Sequence, residues 1–214
     1  MNGLYINLKE RIDRKKHFEE LKKQNVFFKN IKRFDAILHS RGDIGCCMSF
    51  IECMKKLSTS TDKYVALFED DFLLNTKNFD EFVKDFQKIK DKDWDIIVLT
   101  PRGDMVSTDT SLKEYGFLRI KNHQTMTGYI VKPSFLKILI PCLIFGLNMM
   151  LKGGNPDLYA GDQAWKPLQE KYKFYYYHKI IAGHLPGYSS IEKKNVNYNH
   201  RFIQQFMNND LKKL

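Results

Sequence analysis

The stretch Tyr64-Val65-Ala66-Leu67-Phe68 is apolar without interruption and then stops in three consecutive acids, Glu69-Asp70-Asp71. Five apolar residues in a row leave no face for water, so they predict a strand buried on both sides, as in the parallel sheets of α/β proteins. The acids that close it repel one another. They are either an acidic turn facing bulk water or a cluster compensated by a cation. Hard oxygen ligands of this kind suit Mg²⁺ or Mn²⁺, which usually bind through one or two carboxylates plus substrate phosphates.

The sequence around this strand alternates in the same manner. Gly3 to Leu8 is a short β-favouring run, followed by a charged segment, Glu10 to Gln24, with Ile12, Phe18 and Leu21 at roughly helical spacing. Phe27, Phe28, Ile31 and Phe34 suggest a second extended segment. Ile44, Cys47, Met48, Ile51, Met54 and Leu57 then form a helical stripe. Phe79, Phe82, Val83, Phe86 and Ile89 mark a third helix, and Ile96 to Leu99 the next buried strand. Strand and helix alternating through the first hundred residues imply an α/β sheet with right-handed crossovers, whose ligands sit at the carboxyl ends of the strands.

Beyond Pro101 the pattern loosens. Arg102 to Gly116 reads as a polar loop, Thr125 to Val131 as a strand, Gln163 to Lys171 as a helix after a Gly/Pro loop, and Phe174 to Tyr177 as a late strand. The most apolar stretch, Ile138 to Leu151, holds Pro141 and Gly146 and is shorter than the about 20 residues of a membrane span, so it reads as a core or interfacial helix. The 214 residues are expected to form one domain: a nucleotide-binding half over 1–100, an acceptor-side half over 101–190 and a tail over 191–214.

Composition narrows the function classes. With 43% apolar residues the chain can build a core, and its four cysteines lack zinc spacing and are too few for a disulfide framework. That fits a reducing compartment, and the missing secretory h-region points to the cytoplasm. The 35 basic residues against 25 acidic give +10, which favours an anionic partner or merely lysine-rich solvated faces. No nucleic-acid-binding motif gathers those charges, whereas a basic face attending anionic lipid is compatible with them. A Walker loop, a GxGxxG turn and a Gly-x-Ser-x-Gly elbow are all missing.

Two further groups could carry chemistry. Asn7, Arg11 and Arg14 follow the first strand; with a helix starting near Glu10, the arginines share its N-terminal face, where a diphosphate would fit or where they simply meet solvent. Late in the chain come Asp157 and Asp162 in NPDLYAGDQAW and His184 in AGHLPGY. Asp162 could serve as a general base or as an N-cap, and His184 as a nitrogen ligand to the same cation or as a donor into the core.

Taken together the blocks resemble glycosyltransferase family 25, which includes lipooligosaccharide galactosyltransferases and the collagen hydroxylysine galactosyltransferase domain. Tyr5-Ile6-Asn7-Leu8 with Arg11 and Asp13-Arg14 looks like the family's opening, and Arg33 to Ile37 like its next block. Asp43-Ile44-Gly45-Cys46 with Ser49 is similar to its Gly-Cys-x-x-Ser helix entry, Tyr64 to Asp71 to its Glu-Asp-Asp strand, and Trp94 to Leu99 and Thr127-Gly128-Tyr129 to later blocks. Phe50 and Asp43 stand where the family usually has His and Glu, and the tail SSIEKKNVNYNHRF resembles many members' closing segment. The resemblance implies a GT-A-type, Rossmann-like mixed sheet flanked by helices, and a metal-dependent inverting transferase. Such an enzyme moves a hexose (galactose, glucose or N-acetylglucosamine) from a UDP-sugar to a hydroxyl of a glycan or protein acceptor. It further implies Mn²⁺ or Mg²⁺ held by Glu69, Asp71 and His184, and a donor held by Asn7, Arg11, Arg14, Gly45, Ser49, Asp70, Thr127 and Gly128. Asp162, or failing it Asp157, would be the base. The alternative is a degenerate transferase that binds a sugar nucleotide or glycan without turning it over.

Overall fold

The computed structural model describes residues 1–106 and 108–199; the final part of the tail, 200–214, with the last residues of the SSIEKKNVNYNHRF segment, lies outside the described residues. An eight-stranded mixed sheet runs through the molecule in the order β2-β1-β3-β8-β5-β9-β7-β6. β1 (Asn2–Asn7) lies parallel to β2 (Asn30–Asp35) and to β3 (Val65–Glu69). β8 (Gly128–Val131) runs antiparallel between β3 and β5 (Ile96–Val98). β9 (Phe174–Tyr177) is parallel to β5, and β7 (Phe117–Lys121) and β6 (Asp104–Met105) complete the edge antiparallel.

The uninterrupted strands are buried on both faces, as their composition requires. Val65 and Leu67 of β3 join one apolar core, Ala66 and Phe68 the other. Helices α2 (Gly42–Leu57) and α4 (Pro133–Leu151) cover the first face. Helices α1 (Ile12–Gln24) and α3 (Thr76–Ile89) cover the second, through Phe18 and Leu21 of α1 and Phe79, Phe82, Phe86 and Ile89 of α3. This second core is a continuous aromatic network: Phe28 meets Phe68 at 5.5 Å and Phe79 at 5.4 Å between ring centroids.

Several expectations are corrected here. The strand–helix alternation of the first hundred residues gives parallel crossovers only as far as β3, because β8 from later in the chain enters antiparallel between β3 and β5. Helix α1 begins two residues later than expected, and Ile12 points outward at 59% exposure while Arg14 takes the inward place beside Phe18 and Leu21. Phe27 and Phe28 lie in a 3₁₀ turn, Val26–Phe28, ahead of β2. The expected helix over 163–171 is two single turns, α6 (Gly161–Ala164) and α7 (Leu168–Lys171), preceded by α5 (Pro156–Tyr159). The loop over 102–116 holds the short strand β6 and a 3₁₀ turn at Lys113–Tyr115. Helix α4 is 19 residues, begins at Pro133 ahead of the most apolar stretch and ends with it at Leu151, and is long and apolar enough to cross a membrane by length and composition. One side of it, including Leu139, Leu143 and Met150, is packed in the core against α2 and the sheet.

Four small strands frame the site. β4 (Phe72–Leu74) follows the acids and pairs antiparallel with β10 (Ala182–His184), setting His184 opposite Phe72. β11 (Gly187–Ser189) and β12 (Lys194–Val196) form a hairpin next to this pair in sequence.

His123, 1% exposed, anchors the connection into β8. Its Nδ1 accepts the Arg102 N–H at 3.1 Å, its own N–H donates to Gln169 Oε1 at 2.7 Å, and its carbonyl accepts from Trp165 Nε1 at 2.9 Å. Burial pushes its pKa down to about 3. The unfolded chain takes a proton below about pH 6.5 while the folded chain resists it, so stability is full above that pH and falls as pH drops from about 6.5 toward 3. Urea unfolding at pH 7 and pH 5 should show a loss from this group of up to about 1.4 kcal/mol per pH unit, which His123→Gln removes. A variant with the wild-type pH difference would contradict the assignment.

Candidate functional site

The site forms where β3 ends. Glu69 is the last residue of β3, and Asp70 and Asp71 make the turn into β4. The β4–β10 pairing then delivers His184, from more than a hundred residues downstream, onto the acids. His184 Nδ1 lies 3.4 Å from Asp71 Oδ2. A ligand atom from each of Glu69, Asp71 and His184 lies within 4.8 Å of the other two, a spacing at which one cation could touch all three.

Two threonines close the cluster. Thr127 donates its hydroxyl to Glu69 Oε2 at 3.0 Å and also contacts His184 Nε2. Thr125 Oγ1 lies 2.7 Å from Thr127 Oγ1 and 3.2 Å from His184 Nε2. Thr125 has φ +83°, unusual for a β-branched residue and held here by its surroundings. Its N–H donates to Asp162 Oδ2 at 3.2 Å. Asp162 is therefore tied to the cluster through a single residue. It is not an N-cap: Ala160 holds that position on α6. Asp157 is exposed on α5, and its backbone N–H is capped by Asn155 Oδ1 at 2.9 Å.

The charges are balanced within the protein. Burial raises the Glu69 carboxyl to about 8, and the neighbouring Asp71 adds to the rise. Burial acts on Asp71 too, but the facing His184 and Arg14 outweigh it and keep Asp71 below the usual carboxylate range. His184 is raised in turn, since Asp71 and Glu69 overcome the burial that opposes its charge. The surroundings thus bias Glu69 toward its protonated form, Asp71 toward its ionised form and the His184 imidazole toward its cationic form. Asp71 Oδ1 is buried and has no hydrogen-bond partner among the described residues. Two half-buried carboxylates, one of them with the unsatisfied oxygen, and an imidazole fit a divalent cation, whose binding would favour their deprotonated forms.

Arg14 and Arg11 divide the expected phosphate role. Arg14, 4% exposed, points inward with Nη1 at 3.5 Å from Asp71 Oδ2. Arg11 grips Asp13 with two hydrogen bonds at 3.0 and 2.8 Å and donates to the Tyr188 carbonyl at 3.0 Å, pinning β11 against the start of α1. Asn7, 1% exposed, donates to Asp70 Oδ2 at 2.7 Å and accepts from Arg33 Nε at 2.8 Å. Asp70 is still raised to about 6, with burial the main cause and the Asn7 hydrogen bond opposing it.

The remaining expected donor contacts lie in the packing. Ser49 is fully buried, accepting from Ile37 N at 2.8 Å and donating to Gly45 O at 2.7 Å. A Cβ on Gly45 would meet Ile37 O at 2.6 Å, so glycine lets this loop close on α2. Gly128 lies under Phe72 in the same way, again at 2.6 Å. Sequence reading missed Thr125, whose role comes from a positive φ with no local signal. It also missed Asn199, whose Oδ1 accepts the His184 N–H at 3.0 Å, and Cys46, whose thiol is raised by burial and by nearby Glu69. The Gly45-Cys46 pair stood in a recognised block, so Cys46 was within reach of the sequence.

Removing Asn7 leaves the half-buried Arg33 and Asp70 side chains without this partner. Asn7→Ala should cost about 1–3 kcal/mol in urea unfolding. A loss below about 0.5 kcal/mol would show the link carries no weight.

The sequence pattern of glycosyltransferase family 25 (LPS biosynthesis protein) matches residues 39–145, half of the chain, and includes the three acids and the two threonines. Among solved structures, a mannose-1-phosphate geranyltransferase from Thermus thermophilus is similar at 8% identity and a TM-score of 0.38. The match covers 81% of this chain and 58% of that one. No curated protein matches the sequence.

Proposed function

The chain belongs to glycosyltransferase family 25, and from that premise we propose that it moves a hexose from a UDP-sugar to an acceptor hydroxyl with inversion, assisted by a divalent cation. The observation that carries the reading is the convergence of Glu69, Asp71 and His184 within 4.8 Å, with Asp71 Oδ1 unsatisfied. These three residues would hold Mn²⁺ or Mg²⁺, whose charge, when bound, stabilises a departing diphosphate.

The chain's own residues supply the rest. Arg14, buried beside Asp71, adds fixed positive charge on the side where the diphosphate would lie. Asp70, kept in place by Asn7, is offered to the nucleoside. Asp162 takes the proton from the acceptor hydroxyl as it attacks the anomeric carbon, and the carbon–oxygen bond to the diphosphate breaks on the opposite side. A single displacement of this kind inverts the centre. The family's printed description suits an acceptor glycan of the lipopolysaccharide type, and cytoplasmic action is part of the same proposal; the four thiols, Cys46, Cys47, Cys53 and Cys142, are all free. A non-catalytic holder of sugar nucleotide, the second reading, leaned on Phe50. That ring is 2% exposed in the α2 core and takes nothing from the acidic cluster.

Thermal melts test the cation and donor together. Mn²⁺ with UDP should raise Tm in the wild type, by mass action on the folded state, and Asp71→Asn or His184→Ala should abolish the rise. An equal rise in the variants would move the site elsewhere. For the base, Asp162→Asn keeps an oxygen for the Thr125 N–H while removing the proton acceptor. Transfer should fall by about 10²–10⁴ with donor binding intact; a variant that keeps more than about a tenth of the rate would exclude Asp162 as the base.

A further inference from the structure

We infer that the outward face of α4 docks on an anionic lipid bilayer and holds the site against a membrane-anchored acceptor. The choice of acceptor rests on the function proposed above; the docking itself does not.

The helix is two-sided. Its inward side is in the core, while Ile138 is 38%, Phe145 61% and Leu151 55% exposed, and Leu158 of the adjoining α5 is 64% exposed. Large apolar side chains so open to water and so close together are characteristic of contact surfaces. By the 3.6-residue period, Ile138, Phe145 and the exposed Pro141 lie on the same side as Lys137 and Lys152, one lysine near each end of the apolar patch.

Charge identifies the occupant. The outward face of α4 carries Lys137, with Lys152 just past its end, and no acidic residue lies on the helix, within a chain of net charge +10; the first carboxylate after it is Asp157. An apolar strip bracketed by lysines, with no carboxylate on the helix, matches the headgroup–acyl boundary of an anionic bilayer, where lysines take phosphates and the apolar side chains enter below them.

The placement also has a consequence for the site. Gly146 lets α4 approach α5 and α6, since a Cβ there would press on the Tyr159 carbonyl and on Ala164. Cys142 Sγ donates to the Ala164 carbonyl at 2.7 Å. Asp162 lies on α6, holding Thr125. A bilayer under α4 is thus one packed layer from the base proposed for the acceptor hydroxyl.

Vesicle flotation without any donor tests this. The protein should float with phosphatidylglycerol-containing vesicles and much less with pure phosphatidylcholine. Neutralising Lys137 or Lys152 to Ser should weaken binding roughly fivefold per lysine, and Phe145→Ser with Leu158→Ser by about tenfold or more. Thermal melts with Mn²⁺ and UDP should be unchanged in all these variants, which shows that the fold and the site survive. Wild type that fails to float, or variants that float equally well, would overturn the inference. So would a concentration-dependent dimer in sedimentation that Phe145→Ser disrupts. Because flotation is read without donor, its failure is separate from failure of the Mn²⁺ and UDP response.

Discussion

The site depends on one electrostatic constraint: Glu69 and Asp71 are half-buried close together, and ionising both is costly without a positive charge between or beside them. His184 and Arg14 supply that charge, and each is set by a different part of the fold. Arg14 is turned inward by α1, occupying a place in the helix's buried stripe that an apolar side chain would normally take. His184 is delivered by β10, whose sheet partner among the described residues is β4, the three residues directly after the acids. The sheet, the first helix and a late strand therefore meet at a single cluster of charge. Glu69 is biased toward holding a proton and His184 toward its cationic form, and both biases ease the repulsion that a divalent cation would otherwise relieve.

The layers behind the cluster make this arrangement tolerable. Phe68 and Phe72 flank the turn and join the aromatic core beneath α1 and α3, so the acids are held at the end of a rigid strand. Burial at that position raises the cost of charge, and it also strengthens each interaction the acids make. The threonines act in the same sense. Thr127 gives Glu69 its hydrogen bond, and Thr125 accepts an unfavourable backbone angle to connect His184 with Asp162. Strain kept at such a point is consistent with a local arrangement fixed by contacts on every side.

How much was legible in the sequence follows from the range of the forces involved. Buried strands such as Tyr64 to Phe68, and stripes such as Phe79, Phe82, Phe86 and Ile89, announce themselves, because burial imposes a period on neighbouring residues. The acids announced themselves too, by ending an apolar run. What stayed hidden was set by distant partners. Nothing near Gly128 to Val131 says that it will enter between β3 and β5. Nothing near Ile12 says that it will face water while Arg14 turns in; that exchange is decided by Asp71, far along the chain. Ser49 and Gly45 stood in a recognisable block, yet their hydroxyl and missing Cβ serve the joint between α2 and the Ile37 loop.

The same reasoning explains why α4 was ambiguous in the sequence. An apolar helix can be a core element, an interfacial element or a span, and composition alone does not separate them. Its sides do. Leu139, Leu143 and Met150 are fully buried against protein, and Phe145 is left open, so the helix has an inner face fixed by packing and an outer one that packing does not use. An inner face so committed holds the outer one in a fixed direction. Since α5 and α6 rest on this helix and α6 carries Asp162, whatever contacts the outer face is also oriented toward the cluster at the end of β3. The architecture couples a surface to a chemistry through packed helices, with no moving part required.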